Sequence, residues 1–407
     1  MDYNPLFISG TSRGGTNLAI MMLSVSDSVG IAQDPFLGLY KAFNNAVLLE
    51  HGLNGNGLNN PLDEYYYYRE KILEMNLLQK SDLSIPFDKS ELEQLKKVIV
   101  NRMALSSPLL IPFIDNLQGK RYKDLFDSAL DIVRLGRSEG KLEWLGFNDN
   151  WTSEFFGPLS KSYKKAKFIS IIRDVRGAIA SHVNLVNAVH TNPLYQYKKD
   201  ASMLALTMSF ARCWRKHVAF SYHFQQLEEM KDRLLVVRYE DLVSNPESET
   251  RIMCDFLGIG YSSDMIDTNN FISPDGGLWQ PNSNQGVVPQ SGIFTSSITK
   301  WKETLSQDML DLIELITGPE LTMCGYETGM MNNNENIESA YNYHKQESNN
   351  WVGGGWGWRT DNHNPELDIS FELFRRNAII NKIDNEELIE LLFLFPDIYQ
   401  KIRNSSQ

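Results

Sequence analysis

The chain has 407 residues, with 39 Lys or Arg against 51 Asp or Glu and a formal net charge of -12. That length suffices for one large domain or two ordinary ones, and the acidic balance excludes a general nucleic-acid or heparin binder while leaving room for a local basic pocket. The three cysteines, Cys213, Cys254 and Cys324, form no C-x-x-C pair, so neither a zinc site nor a disulfide framework is expected and a reducing compartment fits.

Residues 6–23 read as a short buried strand, a glycine turn and a helix with apolar residues at helical spacing. Gly10, Gly14 and Gly15 let the backbone take positive φ and approach a ligand, while the N–H groups of Gly15, Thr16, Asn17 and Leu18 are expected to lie unpaired at the helix start. Such an end attracts phosphate or sulfate. The Mg-ATP loop reads G-x-x-x-x-G-K-[ST]; here Gly10 and Gly15 fit, but Thr16 replaces the Lys and Asn17 the Ser or Thr. The loop carries its cation earlier, at Arg13, a combination that suits a metal-free anion better. A tight strand-to-helix connection would account for the glycines alone.

Next, 31–36 reads as a second extended segment. Pro35 biases Asp34 away from helix, placing it at a strand end, where a parallel sheet keeps its working groups. The other reading is that Asp34 caps the following helix, 37–49. Residues 41–140 read as a helical insertion, with helices over 62–78, 89–105 and 122–135. The four tyrosines 65–68 point around most of a helix, which favours packing over an aromatic platform. Residues 144–148 are a strand candidate, and the lysines of 161–167 read as a solvated face.

The apolar, β-branched run 167–172 reads as a buried parallel strand ending at Arg173, followed by a turn and a small-residue helix carrying Ser181. Arg173 and Ser181 can meet on one phosphate only if the connecting loop folds back; a strand-end pair of Arg173 with Asp174 is the alternative. Residues 201–231 form a long amphipathic helix anchored by Trp214 and Phe224, 234–238 another buried strand leading to Tyr239, and 246–257 a helix. Strands alternating with helices and buried on both faces define an α/β protein with a parallel sheet. The polar, glycine-rich stretch 269–297 reads as a long covering loop, followed by Lys300, Trp301 and a helix over 306–316. Residues 331–350 read as an Asn/Glu-rich linker and 351–407 as a small helical module, with two helices over 370–403. The early phosphate loop and the lack of any run as long as a membrane span lead to the expectation of a soluble cytoplasmic protein.

Taken together, Leu6 to Leu23 with Arg13-Gly14-Gly15-Thr16-Asn17, then 167–181 with Arg173-Asp174-Val175-Arg176 and Ser181, then Val236 to Leu242 with Asn245-Pro246, then Ser297 to Trp301, resemble the sulfotransferases that use 3'-phosphoadenosine 5'-phosphosulfate, PAPS. The likeness spans about 5–330 and departs at Asn17, Val175 and Asn148, the last standing where the family has a lysine. It implies a three-layer α/β fold with a phosphate-loop core, a domain over 1–330, and transfer of a sulfuryl group to a hydroxyl or amine of a small-molecule or carbohydrate acceptor, leaving adenosine 3',5'-bisphosphate (PAP). By the same resemblance Arg13, Gly14, Gly15, Thr16 and Asn17 hold the 5'-phosphosulfate, and Arg173 and Ser181 the 3'-phosphate. Tyr239 and Lys300 join the donor site, and Asp34 is the general base, with His182 second. A donor-binding scaffold without chemistry is the alternative function, and no metal or nucleic-acid partner is expected.

Overall fold

Five short apolar runs, β1 (Asn4–Gly10), β2 (Val29–Gln33), β3 (Trp144–Asn148), β4 (Lys167–Ile172) and β5 (Leu234–Arg238), form one parallel sheet in the order β2-β3-β1-β4-β5. The computed structural model describes residues 2–55, 69–137, 141–188, 202–279, 292–329, 334–348 and 364–405. Its helices are α1 (Thr16–Ser24), α2 (Leu37–Glu50), α3 (Arg69–Lys80), α4 (Leu92–Ser106), α5 (Tyr122–Leu135), α6 (Phe156–Ser162), α7 (Val175–Ala188) and α8 (Met203–Gln226). Then follow α9 (Tyr239–Ser244), α10 (Pro246–Leu257), α11 (Trp301–Thr304), α12 (Gln307–Met323), α13 (Asn334–Ser348), α14 (Pro365–Ile380), α15 (Glu386–Phe393) and α16 (Pro396–Ser405). The tyrosines 65–68 and the aromatic stretch 351–359 lie outside the described residues. Among the described residues, no helix is long and apolar enough to cross a membrane.

The chain divides into two units, the first comprising 1–62, 74–173 and 224–295, the second 63–73, 174–223 and 296–407. The first holds the sheet. Strands β1, β3 and β4 are buried almost end to end, as parallel strands covered on both faces must be. Their inward rings form its core: Phe7 lies 5.4 Å from Phe147 and 5.8 Å from Phe168, and Phe147 lies 4.8 Å from Phe36. Burying rings of this size stabilises a fold by roughly 2–3 kcal/mol each.

The second unit is helical. Leu204, Met208 and Ala211 of α8 pack with Leu312, Leu315 and Ile316 of α12, and Ala340 of α13 and Ile369 of α14 join them. The segment expected as a linker is therefore largely helix. Ile337, Ala340, Tyr341 and His344 recur at three- and four-residue spacing, a stripe that the surrounding Asn and Glu mask in composition. Helix α12 also runs past its expected end at 316, through Pro319. A proline there leaves the carbonyl of Leu315 without its helical donor, and Arg376 Nη2 supplies one at 3.2 Å. Arg215 Nη1 donates to the neighbouring Ile316 carbonyl at 3.1 Å. Three helices, not two, follow residue 364.

Acids on the facing helices complete a buried charged layer in this unit. Arg212 pairs with Asp368 at 2.7 Å, Arg215 with Glu372 at 2.9 Å, and Arg375 with Glu372 at 3.0 Å and with Glu320. Burial pushes Glu372 up to about 7 against the pull of Arg375 and Arg376. Burial would also raise Asp368, but Arg212 and His344 outweigh it and leave that carboxyl low.

Candidate active site

Strand order locates the crevice of the first unit. From β1 the chain leaves toward β2 on one side of the sheet, whereas from β4 it leaves toward β5 on the other. Neighbouring strands whose exits diverge in this way open a crevice at their carboxyl ends, where open α/β sheets bind ligands. In register, Gly10 stands beside Ile171, Ile8 beside Asn148, Gln33 beside Asn148, and Ile172 beside Arg238. The residues just beyond these, the 11–15 loop, Asp34, Asp149, Asn150, Arg173 and Tyr239, thus leave the sheet at one end.

The loop is tightened by the Gly14 N–H on the Thr11 carbonyl at 2.8 Å and passes into α1 at Gly15, with φ 94°. A Cβ there would meet the Tyr239 ring at 2.1 Å, so the position requires glycine both for its backbone and for its space. Gly15 offers no side-chain cap, and the first turn of α1 has no acid. The Leu18 N–H, expected to be open, closes a turn on the Gly15 carbonyl at 3.1 Å. Those of Gly15, Thr16 and Asn17 make no hydrogen bond among the described residues and carry the positive end of the helix dipole.

Arg173, only 7% exposed, is oriented by two groups of the same unit. Its Nη1 donates to the Arg13 carbonyl at 2.8 Å, and its guanidinium lies 4.3 Å from the centre of the Tyr239 ring. The cation at the end of β4 is thereby tied to the loop after β1. Of the five non-glycine residues with positive φ among the described residues, Arg13, Asp34 and Trp151 all sit at these strand ends. Left-handed backbone at such residues costs free energy and gathers where a site holds its groups in place.

Asp34 is 7% exposed and held from several directions. Asn150 donates its backbone N–H to Oδ1 at 3.2 Å and its Nδ2 to Oδ2 at 3.3 Å, while Arg102 from α4 pairs with Oδ2. The Asp34 N–H is taken by Asn148, and its carbonyl by Arg102 Nε at 3.2 Å and Ser106 Oγ at 2.9 Å. Thr16 Oγ1 reaches Asn150 Oδ1 at 3.4 Å. The capping reading of Asp34 does not hold: the carboxylate that receives the Phe36 N–H at the start of α2, at 3.2 Å from each oxygen, belongs to Asp149. Fully buried, Asp149 is pushed up to about 8, although Arg102 and the N–H groups of Phe36 and Leu37 pull the other way. Beside the β2 edge runs a cavity of about 420 Å³ whose lining includes Ile31, Gln33, Ser107, Leu109, Arg137 and Ile272.

The first unit therefore brings together Arg13, Gly14, Gly15, Thr16, Asn17, Asp34, Arg173 and Tyr239. Ser181 and Lys300 belong to the second unit, Ser181 on α7 and Lys300 exposed just before α11. His182, also on α7, is 2% exposed and packs its ring 4.8 Å from Phe210, a core position. Arg176, the second arginine of the Arg173 motif, is a structural group: it bridges Asp174 at 2.7 Å and Glu314 at 2.6 Å and lies 4.2 Å from the Trp301 ring. Sequence reading missed Arg102, Asp149 and Asn150. The run Asn148-Asp149-Asn150 at a strand end was the available signal for two of them.

The family model described as "Sulfotransferase family" matches residues 5–263. A putative protein-tyrosine sulfotransferase of Caenorhabditis briggsae is 25% identical over 209 residues, 51% of this chain and 70% of that protein. Protein-tyrosine sulfotransferase 2 of Gallus gallus is 27% identical over 173 residues, 42% of this chain and 43% of that protein, so the match spans under half of the chicken protein. Among solved structures, the sulfotransferase domain of the Synechococcus PCC 7002 olefin synthase aligns over 80% of this chain and 96% of its own, at 15% identity and a TM-score of 0.39.

Proposed function

The chain belongs to the sulfotransferase family, and from that premise we propose that it transfers a sulfuryl group from PAPS to a hydroxyl, the phenol of a polypeptide tyrosine being the acceptor. The observation that carries the donor half is the tie of Arg173 to the Arg13 carbonyl, which sets a strand-end guanidinium beside an uncapped helix start. Two anion-receptive groups so placed suit a nucleotide phosphorylated at two positions. Thr16 and Asn17, in place of a Lys and a magnesium-holding hydroxyl, suit phosphate held by N–H groups and arginine. The acceptor half is supported by the names of the relatives above, which are tyrosine-directed.

Bound there, the donor supplies an activated sulfuryl group and a phosphate leaving group. The chain's part is positioning and charge. Arg13 and the N–H groups of Gly15, Thr16 and Asn17 neutralise the charge that grows on the leaving phosphate oxygen. Arg173 holds the remote phosphate. Asp34 accepts the proton that the attacking hydroxyl gives up, a task that general-base groups perform with effects of roughly 10²–10⁴-fold.

The test is transfer of labelled sulfuryl from PAPS to a tyrosine peptide, with a phenylalanine peptide and an oligosaccharide beside it. Label on the tyrosine peptide alone, reduced at least about 100-fold in Asp34→Asn, is the expected result. Label on the oligosaccharide would replace the acceptor, and donor binding without transfer to any acceptor would leave a binding protein in place of an enzyme.

A further inference from the structure

Asn150 links two groups that the mechanism treats separately. Its Oδ1 faces the Thr16 hydroxyl at 3.4 Å, and its Nδ2 and backbone N–H face the two Asp34 oxygens at 3.3 and 3.2 Å. An ionised carboxylate offers about four lone-pair directions. Arg102 and Asn150 together use three of those on Asp34, leaving one, on Oδ1, for a substrate proton. Asp34 keeps a left-handed backbone, φ 53°, and so depends on such fastening. Nothing else among the described contacts joins α1 to Asp34 through a single side chain.

The Thr16 end has a definite proton count. A hydroxyl carries one proton, and both the Asn150 carbonyl oxygen and a phosphate oxygen are acceptors only. Thr16 can donate to one of them at a time. We propose that Asn150 is a positioning residue that couples the donor loop to Asp34, and that donor phosphate and Asn150 compete for the Thr16 proton. Filling the donor site takes Thr16 from Asn150 and leaves the Asn150 amide to serve Asp34 alone. This inference rests on the reading of Thr16 as a phosphate ligand and Asp34 as the base.

The consequence is a split that general damage would not produce. Removing the Asn150 side chain frees the Thr16 proton for phosphate, so affinity for PAP rises, by about fivefold for one net hydrogen bond. At the same time Asp34 loses a fastening and kcat falls, by about tenfold or more. A disrupted site would lose both.

The experiment is calorimetric titration of PAP into the full chain as wild type, Asn150→Ala, Thr16→Val and the double variant, with kcat measured on the same preparations. Tighter PAP binding in Asn150→Ala, weaker binding in Thr16→Val, and no effect of Asn150→Ala once Thr16 is Val are the expected results. Unchanged or weaker binding in Asn150→Ala, or the same tightening in the Thr16→Val background, would overturn the coupling while leaving the donor site standing. Failure of the wild type to bind PAP would overturn the donor reading and this inference with it.

Discussion

The strand ends of the first unit and the charged layer of the second are both built on buried arginines, yet the arginines are held differently. In the second unit Arg212, Arg215 and Arg375 face Asp368, Glu372 and Glu320, and Arg376 and Arg215 fill carbonyls around Pro319. Arg212, Arg215 and Arg375 each meet an acid of the fold. At the end of β4, Arg173 donates to the Arg13 carbonyl and lies over the Tyr239 ring, which fastens it to the loop after β1. The difference lies in what each arginine ties together: packed helices in the second unit, and two strand ends that carry candidate site residues in the first.

If that contrast is right, the largest cost in stability lies in the second unit. Arg375→Ala leaves Glu372 and Glu320 buried without that partner and is expected to destabilise the protein by about 3–5 kcal/mol. Urea unfolding measures it, and a loss under about 1 kcal/mol would blur the comparison. Arg13→Ala is expected to behave in the opposite way, lowering kcat by about 10²–10³-fold with an unchanged unfolding midpoint; a coincident loss of stability would make Arg13 a scaffold group.

A smaller effect sharpens the comparison within the first unit, where Asp149 is the buried acid that serves the fold. Its folded pKa, raised by burial to about 8, lies above the ordinary carboxylate value. Between those two values the folded protein binds the proton and the unfolded chain does not, so stability falls as pH rises through that window, by at most about 1.4 kcal/mol per pH unit. Asp149→Asn keeps an acceptor for the Phe36 N–H and is expected to flatten the decline between pH 5 and 8. Denaturation curves at several pH values read this directly, and parallel slopes for both proteins would contradict it.

Much of this was legible in the chain. The apolar runs at 144–148 and 167–172 announce strands because parallel strands are buried on both faces. The run at 234–238 also forms a strand although it is only partly buried, and Asp34 and Arg173 directly follow β2 and β4. What the sequence hides is set by tertiary contact. Arg102 reaches Asp34 from a helix 68 positions away, and no local pattern marks that pairing. The left-handed backbone at Arg13 and Trp151 runs against the preference of those residue types, whereas Asp, as at Asp34, visits it more readily. Helix α13 escapes because its core stripe is thin and its composition polar, and α12 continues through Pro319 because Arg376 from α14 supplies the donor that proline lacks.

The most direct test of the donor site is calorimetric titration with PAP in the presence of EDTA, beside Mg-ATP, on the wild type and on Arg173→Ala. The account predicts that PAP binds without metal, that Mg-ATP binds far more weakly, and that Arg173→Ala loses about 10- to 100-fold in PAP affinity, as expected for a charge-assisted contact. Preference for Mg-ATP, or PAP affinity indifferent to Arg173, would contradict it.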